Sequence, residues 1–366
     1  MEPLKYMFSP ALIEQIGTQA AHSIPGFSQD RFITHVLNHQ WDALELKQRV
    51  RHISTALHAQ MSGHYPTDIQ HILHLTHTIL QSSTSQSFVY MFLPDYIEQY
   101  GTQHLSLSLQ AMQTVTCLCS CEFAIRPFLL AHQQQVLAQM LLWSTHPNAH
   151  VRRLSSEGCR PRLPWGMAMP ALKKDPTPIL PILENLKNDP SEYVRKSVAN
   201  NLNDITKDNP DVVLALGARW LGTSPHTNWI VKHACRTLLK KGNIAALQLF
   251  GLSHQPLCTV DTLSVANSAI SIGQHLNFSF SLTSHHPAPT TMRVEYIITY
   301  AKANDKQSNK VFKITENTYH PHQPTTFTRR QSFADMTTRK HYPGTHHLTI
   351  AINGCHMASL AFQVVS

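Results

Sequence analysis

The stretch Asp189-Pro190-Ser191-Glu192-Tyr193-Val194-Arg195-Lys196 has two counterparts elsewhere in the chain. They are His146-Pro147-Asn148-Ala149-His150-Val151-Arg152-Arg153 and Ser224-Pro225-His226-Thr227-Asn228-Trp229-Ile230-Val231-Lys232-His233. Each has a proline as its second residue, which suits a helix start because an amide hydrogen there would have no intrahelical partner. Each then reaches a valine followed by two basic or imidazole side chains. Aligned on Val151, Val194 and Val231, the segments recur at intervals of 43 and 37 residues.

That spacing is the period of HEAT-type two-helix repeats. One such repeat cannot bury its apolar face alone, so it stacks on the next and the array lines a groove. Repetition then sets Arg152/Arg153, Arg195/Lys196 and Lys232/His233 in a row. A row of cations suits a phosphate backbone better than a compact ligand.

Up to about residue 256 the rest of the sequence keeps a helical period. Leu46, Val50, Ile53 and Leu57 mark one apolar stripe. Similar stretches run through 69–80, 105–118, 123–142, 179–186, 194–202 and 231–239. Breakers separate them, among them Ser9-Pro10, Pro25-Gly26 and Tyr65-Pro66. From about residue 258 the period becomes two. Leu276, Phe278, Phe280 and Leu282 alternate with polar residues, and so do Val294, Tyr296, Ile298 and Tyr300. Leu348, Ile350 and Ile352, then Leu360, Phe362 and Val364, repeat the pattern. Turn residues divide these runs at Ile272-Gly273-Gln274, Asn304-Asp305, Pro343-Gly344 and Asn353-Gly354, the last a strong hairpin signal. The expectation is an all-α HEAT-like helical array over 1–256, followed by an immunoglobulin-like β-sandwich of about seven strands over 258–366.

Composition narrows the function. The 366 residues carry a net charge of +8, and half of the Lys and Arg fall in 151–241, with 15 basic and 8 acidic side chains. Clustered positive charge is the footprint of a polyanionic partner. Residues 257–366 add 9 basic against 5 acidic, including Arg329-Arg330 and Arg339-Lys340, which are expected near strand ends or loops, where sandwich domains usually bind. Seven cysteines without framework spacing favour a reducing, cytoplasmic setting. The opening Met-Glu-Pro-Leu-Lys lacks an apolar leader, and no run approaches the ~18 apolar residues of a membrane span. No membrane association is expected.

Some chemistry is set aside at this level. The sequence has no G-x-x-x-x-G-K-[ST], G-x-G-x-x-G or G-x-S-x-G, so nucleotide hydrolysis and the hydrolase elbow have no support. His71, His74 and His77 recur every third residue, but no carboxylate or thiolate completes a metal site. Cys117, Cys119 and Cys121 read as small buried apolar groups. No metal and no cofactor is expected.

A polar group near the cations is harder to set aside. Glu157 lies six residues after Val151 and four after Arg153, so an ordinary i, i+4 ion pair accounts for it. Asp204 ends its helix, where an acid opposes the helix dipole, and that suggests a task. Glu122 is expected to open the 123–142 helix, where an acid is favoured in any case. Trp165 sits among Arg160-Pro161-Arg162-Leu163-Pro164-Trp165-Gly166, a rigid loop whose aromatic either stacks on a base or packs the loop.

These stretches resemble the AlkC/AlkD family of alkylbase DNA glycosylases. The resemblance is carried by the segment from His146 to Glu157-Gly158, by Arg160–Gly166, and by Asp189–Ile205 with its Asn200-Asn201-Leu202-Asn203-Asp204. Phe8-Ser9-Pro10 and Leu44-Glu45-Leu46-Lys47-Gln48-Arg49 look like that family's N-terminal part. The Arg-Leu-Pro-Trp-Gly loop and the C-terminal β domain are similar to the AlkC branch. The resemblance implies excision of cationic N3-alkylated bases, 3-methyladenine and 3-methylcytosine, from double-stranded DNA. It implies Glu122, Glu157, Asp204 and Trp165 as catalytic residues, with the two acids 157 and 204 at a solvent-accessible groove. Arg152, Arg153, Arg160, Arg162, Arg195, Lys196 and Lys232 are the expected DNA contacts. Nothing marks Lys173 or Lys174 as a Schiff-base nucleophile, so no lyase step is expected. A monomer with no obligate protein partner is the expected state. The competing readings are a non-catalytic HEAT scaffold, which leaves Trp165 and the acids as coincidence, and a metal-dependent nuclease, which would need acids clustered within one turn or strand.

Overall fold

Helix ends in the first two thirds of the chain are set by the residues that flank each proline or polar cap. In the computed structural model, which describes residues 3–82, 88–303, 306–336 and 340–366, Ser9 caps the helix Pro10–Ser23 by accepting from the Leu12 amide. Asn148 accepts in the same way from the His150 amide ahead of the helix Ala149–Glu157. The expected turn at Asn304-Asp305 and the basic Arg339 lie outside the described residues. Among the described residues sixteen α-helices precede eight β-strands. None of these helices is long and apolar enough to cross a membrane. The chain forms two compact units, Met1–Val212 with Trp220–Ala234, and Val213–Arg219 with Cys235–Ser366.

The three proline-led segments each start a helix: Ala149–Glu157, Glu192–Ile205 and Pro225–Ala234. The middle helix packs against both others and caps them laterally. Asn201 Nδ2 donates to the Ser156 carbonyl at 2.8 Å, and Asn203 Nδ2 donates to the Ala234 carbonyl at 2.7 Å. These acceptors lie in last turns, where carbonyls have no intrahelical donor. Val151, Val194, Val198 and Leu202 are buried between the helices.

Several expected helices are shorter or divided. The 123–142 stretch is two helices, Ile125–Ala131 and Gln133–Trp143, parted at His132 with φ −135°. The apolar spacing carries through His132, which hides the break. Glu122 therefore stands in a turn ahead of the first of these helices, and does not open a long one. The 231–239 stretch divides at Cys235. Helix Leu105–Val115 ends before Cys117, so the three alternating cysteines lie outside any helix. Cys119 and Cys121 are buried, and burial pushes both thiols up, Cys119 to about 12.

The β domain has strands β1 (Cys258–Val265), β2 (Ala269–Ser271), β3 (His275–Ser284), β4 (Thr290–Ala301), β5 (Gln307–Tyr319), β6 (Thr325–Ser332), β7 (Gly344–Ile352) and β8 (Cys355–Val365). They form one sheet ordered β1-β3-β6 and another ordered β2-β8-β7-β4-β5. That is eight strands, one more than the alternation suggested; short β2 pairs in parallel with β8 and carries too few residues to show a period. The alternating residues Leu276, Phe278, Phe280, Leu282, Leu348, Ile350 and Phe362 fill the core. Arg329 and Arg330 lie within β6, paired with Phe278 and Asn277, and not in a loop. Cys258 and Cys355 are free thiols.

The β7–β8 hairpin turns at Asn353 and Gly354, both at positive φ, 50° and 80°, as a two-residue turn of this hand requires. Asn353 also accepts from the Arg293 amide and donates to the Ser253 carbonyl. A Cβ on Gly354 would lie 2.5 Å from Gly242 Cα. Gly354→Ala should therefore cost more than the ~1–2 kcal/mol of left-handed strain alone. A denaturant midpoint no lower than that of the unsubstituted protein would show that the turn relaxes freely.

Candidate active site

The recurrence that builds the helical array also decides what faces its neighbour. Glu157 at the end of one repeat helix and Asp204 near the end of the next are brought to the same cation, Arg160. Arg160 Nη1 lies 2.7 Å from Glu157 Oε1, and its Nε lies 2.8 Å from Asp204 Oδ2. Ser197 Oγ donates to Glu157 Oε2 at 2.6 Å, and Lys207 Nζ approaches Asp204 Oδ1 at 2.9 Å. Burial alone would lower the Arg160 pKa, but Glu157 and Asp204 outweigh it and the net shift is upward. The cation is thus held charged.

Arg153 continues the network on the other side. It contacts Glu122 and Glu157 and donates to Ser120 Oγ at 2.8 Å, while Ser120 Oγ donates to Glu122 Oε2 at 2.9 Å. Its guanidinium lies 4.7 Å from the Tyr193 ring centre. Glu122, Glu157, Arg153, Arg160, Tyr193 and Trp165 line one open hollow of about 480 Å³, with Phe123, Met91 and Leu163 among its apolar walls. Trp165 is 62% exposed and has φ +64°, an uncommon conformation for a bulky residue. Asp204 is not among the lining residues and meets the hollow through Arg160.

The loop that carries Trp165 is fixed from beneath. Arg126, fully buried, donates from Nε to the Met167 carbonyl at 2.7 Å, from Nη1 to Gly158 at 2.8 Å and from Nη2 to Arg160 at 2.9 Å. Burial lowers its pKa to about 10, so it remains a cation at neutral pH. With two carboxylates, an aromatic face and two charged guanidiniums on its walls, and a third carboxylate behind Arg160, the hollow can steady positive charge and orient a water.

Comparison with known proteins follows from this geometry. Residues 101–238 match the family model for DNA alkylation repair enzymes, a span that contains Glu122, Glu157, Trp165 and Asp204. Residues 259–366 match the model for the C-terminal Ig-like domain of protein YhaZ. The Bacillus subtilis (strain 168) protein YhaZ is 44% identical over 366 residues, covering 100% of both chains. A solved structure of Pseudomonas fluorescens alkylpurine DNA glycosylase AlkC, bound to DNA containing an abasic site analog, is 39% identical with a TM-score of 0.94, again over 100% of both chains. The chain belongs to the AlkC branch of the DNA alkylation repair enzymes.

Within this AlkC-branch protein the expected site residues fall into two groups. Glu122, Glu157 and Trp165 share the hollow, but Glu157 and Asp204 are 4% and 2% exposed, not at an open groove surface. The reason is Arg160: a cation that bridges two repeats draws both acids inward. Arg160 is itself buried and committed to them, so it does not face outward as a phosphate contact would. Arg152 and Arg195 also differ from the expected row. Arg152 donates to the carbonyls of His146 and Pro147 and pairs with Asp189, and Arg195 donates to the carbonyls of Asp189 and Pro190. Each braces the proline turn that starts its own helix. Arg162 pairs with Asp208, Lys196 pairs with Glu192 on the exposed surface, and Lys232 lies on the helix Pro225–Ala234.

Two contributors were missed in the sequence. Arg126 is a lone cation inside the apolar run Phe123-Ala124-Ile125-Arg126-Pro127-Phe128, which is a readable signal for a buried anchor. Tyr193 sits one place before Val194 in its repeat, with His150 at the equivalent place and 5.6 Å away ring to ring. That equivalence was available from the alignment.

The buried triad sets a stability test. Arg160→Met would leave Glu157 and Asp204 buried without their shared cation, and the expected loss is about 3–5 kcal/mol. Arg160→Lys, which keeps charge but not the two-sided geometry, should lose less. Urea unfolding of the three proteins gives the ranking; equal midpoints would mean that the acids reach solvent or other partners once Arg160 is gone.

Proposed function

We propose that this DNA glycosylase excises cationic N3-alkylated bases, 3-methylcytosine and 3-methyladenine, from double-stranded DNA by monofunctional hydrolysis. The observation that carries this is the shared hollow, in which Glu122 and Glu157 stand with the exposed face of Trp165. An N3-alkylated base is already positively charged, so the C1′–N bond breaks with its electron pair returning to the ring, and no strong general acid is needed. What remains is an oxocarbenium-like sugar and a water. A carboxylate in a low-dielectric setting stabilises the first and accepts a proton from the second as the water oxygen bonds to C1′. Glu122, with 17% of its side chain exposed against 6% for Glu157, is the more accessible of the two. Asp204 acts by fixing Arg160, and through it Glu157. The Trp165 indole offers a cation–π face to the charged base or sugar.

The division of labour assigns catalysis and DNA contact to 1–256 and a supporting DNA role to the immunoglobulin-like domain at 258–366. Lys196 and Lys232 are the proposed phosphate contacts of the helical unit, with Arg162 beside them, while Arg153 is held by Glu122 and Glu157. Lys196 and Glu192 form an exposed pair of the kind worth ~0–1 kcal/mol, which a phosphate can readily displace. The P. fluorescens AlkC structure bound to abasic-analog DNA supports DNA as the partner. The enzyme is proposed to act as a monomer in the cytoplasm.

Incubation with a duplex containing 3-methylcytosine or 3-methyladenine, without added metal, should release free base and leave an abasic site uncleaved. Glu157→Gln and Glu122→Gln should each slow single-turnover release by ~10²-fold at saturating enzyme. Absence of base release from either lesion by the unsubstituted protein defeats the proposal, and wild-type rates in both variants remove these acids from the chemistry.

Phosphate contact is tested separately. Lys196→Ala with Lys232→Ala should weaken lesion and lesion-free duplexes alike, and flatten log K against log[salt] by nearly one per lost contact. Arg152→Ala and Arg195→Ala, by contrast, should mainly lower thermal stability. An unchanged salt slope in the double lysine variant would confine those residues to the protein surface.

A further inference from the structure

The helix Leu46–His58 is distant in sequence from the site loop, yet one of its side chains reaches that loop. Lys47 Nζ donates to the carbonyl of Trp165, 118 positions away. The same ammonium lies 5.1 Å from the centre of the Phe123 ring, and Phe123 and Trp165 line the same hollow. Lys47 itself lines a neighbouring hollow of about 520 Å³ that shares Met91, Ser120 and Phe123 with the first. It stands at the junction of the two.

The accepted carbonyl belongs to the one residue of the loop with a left-handed backbone, φ +64°. Such a conformation persists only where the surroundings over-determine it. Arg126 holds the carbonyls of residues 158, 160 and 167, and two backbone bonds, Gly166 N to Leu163 O and Met169 N to Pro161 O, close the loop on itself. These fix the loop on both sides of residue 165. The Lys47 bond acts on the peptide of residue 165 itself. If residue 165 left that left-handed conformation, the carbonyl would turn away from Lys47 and the direction of the indole would change with φ. Glu98 lines the same neighbouring hollow as Lys47; burial pushes its carboxyl above the usual range, against the pull of Arg51 and Lys47.

We infer that Lys47 is a positioning residue for base excision, holding the Trp165 peptide so that the indole stays over the carboxylates. The inference rests on the proposed role of Trp165. Lys47 is exposed, so its removal should perturb the site with little effect on folding. Displacement of a substrate-facing group by about 1 Å can slow a reaction by up to ~10²-fold, and an indole freed at one peptide should sit toward the lower part of that range.

The test is a double-mutant cycle in single-turnover excision from lesion duplex, with Lys47→Met, Lys47→Arg, Trp165→Ala and the Lys47→Met/Trp165→Ala pair. Lys47→Met should slow excision ~10-fold, Lys47→Arg should restore most of it, and Lys47→Met should add less than twofold in the Trp165→Ala background. Its affinity for lesion-free duplex should keep the parent's salt slope, since a positioning residue neutralises no phosphate. An equal loss in both backgrounds, a salt slope reduced by nearly one, or an unchanged rate overturns the role of Lys47 alone. A Trp165→Ala enzyme that excises at the parent's rate removes Trp165 from the site, and the positioning role with it.

Discussion

One buried cation joins the two repeat helices that carry the proposed catalytic acids. Arg160 lies between Glu157 on one repeat helix and Asp204 on the next, and neither acid could be so deeply buried without it. Desolvating an isolated carboxylate costs several kcal/mol, so two of them in one interior require a shared counter-charge. The same ion pairs tie the helix Ala149–Glu157 to the helix Glu192–Ile205, so packing of the array and preparation of the site are one event. Ser197, Lys207 and Arg153 then complete the coordination of the acids. An arrangement fixed by so many partners has little reorganisation left to do when charge develops beside it.

The network also explains why so much positive charge accumulates in 151–241 without all of it facing outward. Arg152 and Arg195 neutralise loop carbonyls at helix starts, and Arg153 and Arg160 are tied to carboxylates. Net charge is a sound guide to a polyanion partner over a whole segment. It does not say which cation meets the partner, because a guanidinium's fixed fork of donors serves backbone carbonyls and carboxylates as well as phosphates.

The architecture was legible where periodicity carries it. The valine-aligned segments give the repeat helices, the alternation at 276–282 and 348–352 gives the sandwich, and Asn353-Gly354 gives its hairpin. Breaks inside continuous apolar patterns were hidden, as at His132, because spacing alone does not record a local φ. Two-residue alternation could not reveal β2, whose three residues are held by pairing with β8. Site membership was legible by residue type and resemblance, but depth was not: an i, i+4 reading of Arg153 and Glu157 contains no information about Arg160 folding back between two repeats. Arg126, a lone cation in an apolar run, and Tyr193, the ring before its repeat valine, became meaningful only once the loop and the hollow had a shape.

The backbone at Trp165 has a consequence of its own. A left-handed residue in a tight loop is an invitation to glycine, and to asparagine after it, since either would sit there with less strain. Tryptophan is among the least comfortable choices for such a position, and its ring is left in solvent where burial returns little. Chain economy and the present occupant therefore pull against each other at this one site. Selection for heat tolerance would drift toward a smaller residue here, and each step in that direction would surrender the only large aromatic face that the loop presents.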